Sequence, residues 1–238
     1  MKLDILAFAA HPDDVELTMG GTILLQSRMG RKVGIVDLTR GELGTRGNAE
    51  TRIAEANAAG KMLGIVVREN LGMKDGFIRN DEASRVEVIK MIRQYRPEVI
   101  FCNSISDRHP DHGHASKLVS DAVFLSGLPK MITEDNGNRQ EAWKVGAVYH
   151  YIQDRYLKPD FIVDITSVMQ ERMEAVKAFT SQFYNATSTE PETAISSKAF
   201  LEFLIARARE FGRPAGVEFA EGFQAERTIC LKDPFELK

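Results

Sequence analysis

Short, nearly continuous apolar runs alternate with longer amphipathic stretches along most of the chain. The runs at Leu3–Ala9, Lys32–Leu38, Val66–Asn70, Val99–Cys102, Ala147–Tyr151 and Phe161–Val163 predict strands of a sheet covered on both faces. Between them, Thr18–Met29, Glu50–Leu63, Ala83–Tyr95 and Asp111–Leu125 repeat their apolar residues at helical spacing. Gly30 and Gly64 stand where helix C-terminal caps belong, and Pro97 marks a stop before the fourth strand. Strand–helix repetition of this kind implies right-handed crossovers. The expected fold is therefore α/β: a Rossmann-like, mostly parallel sheet with helices on both faces.

After Gly127 the rhythm loosens. Ser126–Trp143 is polar and rich in turn formers, so it reads as a long loop. Helices return at Ser167–Thr180 and Ala199–Phe211, joined by the polar Asn185–Ser197 segment, and Thr228–Leu231 reads as a last edge strand. With no internal repeat and no linker, one domain is expected over residues 1–238. The apolar Leu3–Ala10 stretch is interrupted by Asp4 and far shorter than the roughly 20 residues of a membrane span. It reads as a buried first strand rather than a signal peptide.

Composition narrows the partners. The 238 residues carry 27% charged side chains and a net charge of −3, with neither the Lys and Arg excess of a nucleic-acid binder nor a polybasic cluster for a membrane surface. Cys102 and Cys230 are the only cysteines and lie far apart, so neither a disulfide framework nor a cysteine zinc site is indicated. That usage suits a reducing, cytoplasmic compartment. The irregular second half offers packing surface for a homo-oligomer.

In an open parallel sheet, chemistry gathers on the loops leaving the carboxyl ends of the strands. Two such loops are dense in metal-type ligands: Ala10-His11-Pro12-Asp13-Asp14-Val15-Glu16 after the first strand and Asp107-Arg108-His109-Pro110-Asp111-His112 after the fourth. Together they hold three of the chain's five histidines. Two His and one Asp with an open position form the donor pattern of a catalytic zinc, which acidifies water and polarises a carbonyl. Asp13 and Asp14 stand side by side, so one can bind metal while the other serves as base, and the pattern survives exchanging them. Pro110 suits the first helical position, which puts His109 ahead of the helix and aims it away from His112. His114, two residues beyond His112, faces the opposite side and reads as a surface residue. His150 lies in a strand and reads as packing or pocket wall. The Gly-rich Arg40–Gly47 loop could cradle an anion, but lacks the Lys-Ser/Thr ending of a phosphate-binding loop.

The two motifs resemble the AHPDDxE and HPDH signatures of the PIG-L-type (LmbE-like) N-acetylglucosaminyl deacetylases, here complete at Ala10–Glu16 and His109–His112. Asp37–Gly47, Asn70–Gly76, Ser181–Tyr184 and Glu221–Phe223 are similar to the bacillithiol-biosynthesis branch, which acts on N-acetylglucosaminyl malate. The resemblance implies zinc held by His11, Asp14 and His112, with iron or cobalt also suited to such donors. It implies Asp13 as general base, His109 as electrophilic group and Asp111 as its orienting neighbour. The leaving amine would take its proton from Asp13 or His109. Arg52, Asp75 and Tyr184 become contacts to the sugar conjugate, and Arg108 stands where it could meet a substrate carboxylate. Without the resemblance, Arg52 reads as a solvated helix pair with Glu55 and Asp75-Gly76 as a turn. Other N-acetylglucosamine conjugates remain alternatives as substrate. A non-hydrolytic nucleotide-binding module is the rival class, yet the glycine-rich turn it needs is filled by Ala10–Asp14, and Gly20-Gly21 comes too late.

Overall fold

The computed structural model describes residues 1–233 and 235, so the end of the domain expected over 1–238 lies outside the described residues. In chain order the first half runs β1 (Ile5–Ala9), α1 (Asp14–Arg28), β2 (Val33–Thr39), α2 (Ala49–Leu63), β3 (Val67–Met73), α3 (Glu82–Tyr95), β4 (Val99–Cys102) and α4 (Pro110–Ser126). The second half adds the two-residue strands β5 (Glu134–Asp135) and β6 (Asn138–Arg139), then β7 (Ala147–Tyr151), β8 (Phe161–Asp164), α5 (Met169–Lys177), α6 (Lys198–Gly212) and β9 (Ala220–Ala225).

The sheet explains the apolar runs. β1 sends Ile5, Ala7 and Ala9 into one core and Leu6 and Phe8 into the other, so every position of the strand must be apolar. The first core is closed by α1, α2, α5 and α6, and the second by α3 and α4. Strand order is β3-β2-β1-β4-β7-β9-β8. Pairing is parallel from β3 through β7, whereas β9 runs antiparallel to both of its neighbours. The chain therefore reverses its winding between β1 and β4, and the loops after these two strands lie side by side. The Ala10 N–H donates to Asn103 Oδ1 at 2.9 Å and ties them together.

Local chemistry sets the helix ends. The side chains of Asn48 and Asp81 accept from Thr51 N and Ser84 N, capping α2 and α3, and Gly64 closes α2 at φ 72°. α1 begins at Asp14, four residues before its expected start at Thr18, because the polar motif residues are themselves helical and buried. It kinks at Met19 (φ −140°), and the freed N–H groups of Gly21 and Thr22 donate to the Glu221 carboxylate at 2.9 and 2.7 Å. The last strand corrects the sequence reading. Thr228–Leu231 forms no strand; β9 lies further back, inside the sheet, where Glu221 is buried against Arg172 at 3.1 Å. The expected long loop at Ser126–Trp143 contains the small β5–β6 hairpin. Among the described residues, no helix is long and apolar enough to cross a membrane.

Candidate active site

Both motif loops open into one cavity of about 370 Å³, whose lining includes His11, Asp13, Asp14, His109 and His112. Asp14 sits at its centre. One carboxylate oxygen lies 3.2 Å from His112 Nε2, and the other accepts the His11 N–H at 3.0 Å and stands 3.7 Å from His11 Nδ1. His11, Asp14 and His112 thus come together as expected. His109 does not turn away, however. Its ring lies 5.1 Å from that of His112 and 4.6 Å from that of His11, because a cap residue in extended conformation still leaves its side chain over the first helical turn.

Three polar side chains that sequence reasoning missed hold these groups in place. Asn103 Nδ2 and Gln153 Nε2 each donate to an oxygen of Asp14 at 3.0 Å, and Gln153 Oε1 accepts from Asn103 in turn. Asp107 contacts His112 Nδ1 at 2.5 Å, fixing the ring so that Nε2 faces Asp14. The rule that strand ends carry chemistry could have flagged Asn103, directly after β4, and Gln153, two residues after β7.

Asp13 adopts φ 118°, a left-handed conformation that costs a non-glycine residue about 1–3 kcal/mol. Arg52 holds it there, donating to the carbonyl of Pro12 and, at 2.8 Å, to Asp13 Oδ2. Gly41 leaves the space for that guanidinium: at φ 66°, a Cβ there would fall 2.7 Å from Arg52 Nη1. Burial, with Asp14 alongside, pushes the Asp13 carboxyl up to about 7 against the pull of Arg52. Asp14 goes the other way. Burial opposes its charge, but His112 and His11 hold it well below the usual carboxylate range. The adjacent carboxylates are thereby driven apart, one ionised and one poised near neutrality.

Burial also opposes charge on His11 and His112, yet the carboxylates of Asp111, Asp14 and Asp75 raise His11, and Asp14 and Asp107 raise His112 to about 9. This donor set attracts cations, and protons here occupy positions that a divalent ion could take. His11 Nε2 is buried without a partner in hydrogen-bonding geometry, although Asp75 Oδ1 is 3.0 Å away. Nitrogens of His11, His109 and His112 lie within 4.8 Å of one another, as do donor atoms of His11, Asp75 and Asp111. The residues fit a divalent metal. His109 differs from the other two: burial and the neighbouring His11 and His112 charges lower its pKa. Its Nδ1 accepts from Asp111 N at 3.2 Å, so the neutral ring carries its proton on Nε2.

The other expected site residues have partners of their own in the fold or stand apart from the cavity. Asp111 orients His109 only through this backbone N–H; its carboxylate accepts from Gly76 N at 2.7 Å and Ile78 N at 3.3 Å and lies 3.4 Å from His11 Nε2. Arg52 is neither a solvated partner of Glu55 nor a free cation, since it is buried on Asp13, Pro12 and Gln182, while Glu55 accepts from Thr180 and Ser181. Asp75 lines the cavity, but one oxygen accepts from Leu43 N at 2.8 Å and the other faces His11. Tyr184 is 42% exposed and lies outside the cavity lining. Arg108 is exposed at the cavity with its Nε on Asp154 at 2.9 Å. His114 is exposed, and His150 is buried beneath the site, as the sequence suggested.

Comparison with known proteins adds an independent line. The family model described as PIG-L, GlcNAc-PI de-N-acetylase, matches residues 6–123. A conserved protein of Thermus thermophilus is 36% identical in sequence, and its crystal structure superposes with a TM-score of 0.87 over 98% of both chains. Diacetylchitobiose deacetylase of Thermococcus kodakarensis is 29% identical over 237 residues, 95% of this chain and 84% of that one. The 4-oxalmesaconate hydratase of Pseudomonas putida is 27% identical over 196 residues, 74% of this chain and 73% of that one.

Proposed function

Because the chain belongs to the PIG-L family of metal-dependent deacetylases, we propose that it hydrolyses the acetamide of an N-acetylglucosamine conjugate, releasing acetate and the free amine. The observation that carries this reading is the division between Asp13 and Asp14. One cavity offers a carboxylate locked in its ionised form among imidazoles and a second with a pKa of about 7, suited to accept a proton at neutral pH.

His11, Asp14 and His112 would hold the divalent ion, with zinc the expected one. When bound, the ion supplies a Lewis acid for the acetamide and lowers the pKa of water. The remaining work falls to the chain's own groups. Asp13 takes the proton of the attacking water. His109 presents its Nε2–H to the negative charge that develops on the acetamide oxygen, where a prepositioned donor counts most. The amine departs with the proton that Asp13 took from the water, since the neutral His109 ring has none to give beyond that Nε2–H. Asn103, Gln153 and Asp107 keep Asp14 and His112 in register throughout.

The loops similar to the bacillithiol branch support N-acetylglucosaminyl malate as a substrate. A dicarboxylate aglycone asks for cations, and of the two arginines expected at the mouth Arg52 is committed to Asp13 and Pro12. Arg108 is the remaining support for malate. The likeness to a hydratase supports a second reading, addition of water to a carbon–carbon double bond, in which the same base would serve. The test is product analysis. Zinc-loaded protein should release acetate and a primary amine in equal amounts from N-acetylglucosamine glycosides. No acetate from any of them, with hydration of an unsaturated dicarboxylate instead, would overturn the proposal.

A further inference from the structure

The cavity has a second wall of opposite character. It is formed by α6 and the segment before it, chiefly Ile195, Phe200, Phe203 and Phe211, with Leu17 of α1. Ile195, Phe200, Phe203 and Leu17 are only partly buried, so apolar surface stays open toward the charged groups. The rings are held in place. Phe200 stacks on Phe203 at 5.8 Å and on Phe183 at 6.0 Å. One cation stands in this wall, Arg207, its guanidinium 4.9 Å from the centroid of Phe203 and 5.7 Å from that of Phe211. Its terminal nitrogens donate once each, to the carbonyls of Gln153 and Asp154 at 2.9 and 3.0 Å. Arg108, at the same mouth, gives only its Nε to Asp154, at 2.9 Å.

We infer that this wall is an aglycone subsite for an apolar group, an alkyl or aryl substituent on the acetamido sugar. The inference rests on the deacetylase reading, which sets the acetamide against the charged wall and leaves the rest of the substrate to face α6. A carboxylate or a second sugar ring laid on Phe200 and Phe203 would give up its water and meet no donor from these rings, and an unpaired polar group taken from water is costly. An alkyl or aryl group loses nothing by the same move and covers exposed phenyl surface.

A graded series of N-acetylglucosamine glycosides tests this: methyl, propyl, butyl and phenyl, each with zinc-loaded protein. kcat/KM should rise about fourfold per methylene from methyl to butyl, and the phenyl glycoside should exceed the methyl one at least tenfold. In Phe203→Ser the butyl-to-methyl ratio should collapse toward one, and a ratio is unaffected by any loss of folded protein. A flat series in the wild type would overturn the subsite. Calorimetric binding of the same glycosides separates the two readings. Butyl binding more tightly than methyl without acetate release would keep the subsite and remove the deacetylase, and equal binding would remove the subsite.

Discussion

The two walls of the cavity are built in different ways. The charged wall stands on the carboxyl ends of parallel strands β1 and β4, where each catalytic candidate is fixed by several partners: Asp14 by four side chains and a backbone N–H, Asp13 by Arg52 on both sides of a strained peptide. The apolar wall stands on α6, packed over the antiparallel end of the sheet, where contacts are rings on rings. Reaction geometry tolerates errors of only about 0.5 Å, which strand ends with hydrogen-bonded support can hold. An apolar surface needs area rather than direction. The fold thus places chemistry on hydrogen-bonded strand ends and sets the wall that meets the rest of the substrate on a separate helix.

If that division is right, the largest effect should come from the charged wall. Asp13→Asn should cut turnover by about 10²–10⁴-fold while metal content stays near one ion per chain. Asp14→Asn should instead lose metal. Acetate release and elemental analysis on the two variants check both halves of the statement. Equal metal loss in both would erase the separate roles of the two carboxylates.

Gln153 sharpens the comparison, because it follows β7 and belongs to the strand where parallel pairing gives way to antiparallel. Its amide donates to Asp14, and its carbonyl accepts from Arg207 of the apolar wall. Gln153→Leu keeps the bulk and removes the donor, so metal affinity should fall about 10–100-fold. Titration with zinc under a competing chelator measures it. Unchanged affinity would mean that Asp14 needs only its neighbours in the parallel half.

The same boundary separates what the sequence reveals from what it conceals. In the parallel half β1, β2 and β4 are buried almost throughout, so ILAFA or VIFC can hardly be anything but a strand. The metal motifs are equally legible, since their ligands are close in sequence and sit directly after such strands. β9 is the counter-example: AEGFQA looks like a polar loop, because its buried Glu221 is satisfied by Arg172 of α5 and by the kink of α1, about 200 residues away. Asn103 and Gln153 escaped for a related reason, being ordinary amides until the fold brings Asp14 to them. Arg52 was misread because its partners lie 39 and 130 positions away, while the nearer Glu55 was drawn off by Ser181. Local spacing reports local pairs, and buried ion pairs in this chain are mostly long-range.

The smallest expected effect lies at the seam itself. His150 of β7 holds the carbonyl of Asn103 through Nδ1 at 2.9 Å and faces Glu226, just beyond β9, through Nε2 at 3.1 Å. Burial works against its charge, but Cys102, Glu226 and the Asn103 carbonyl outweigh burial and push its pKa up to about 11. Glu226 is held below the usual carboxylate range by His150. A histidine raised on folding contributes its full stability below its unfolded value of 6.5 and loses it as pH climbs toward 11. A carboxylate lowered on folding contributes above its unfolded value of 4.5 and loses it as pH falls. The pair is therefore strongest between pH 4.5 and 6.5 and weakens on the alkaline side. Glu226 has a 36% exposed side chain, so solvent screens the pair and its worth is about 1 kcal/mol or less. In a chain of this length that is roughly 2–4 °C in Tm. From about pH 9 toward 11 the wild type should lose more Tm than Glu226→Gln, the two melting curves converging as His150 gives up its proton. Parallel curves would show that the antiparallel end is joined to the parallel half by packing alone, with no charge across the seam.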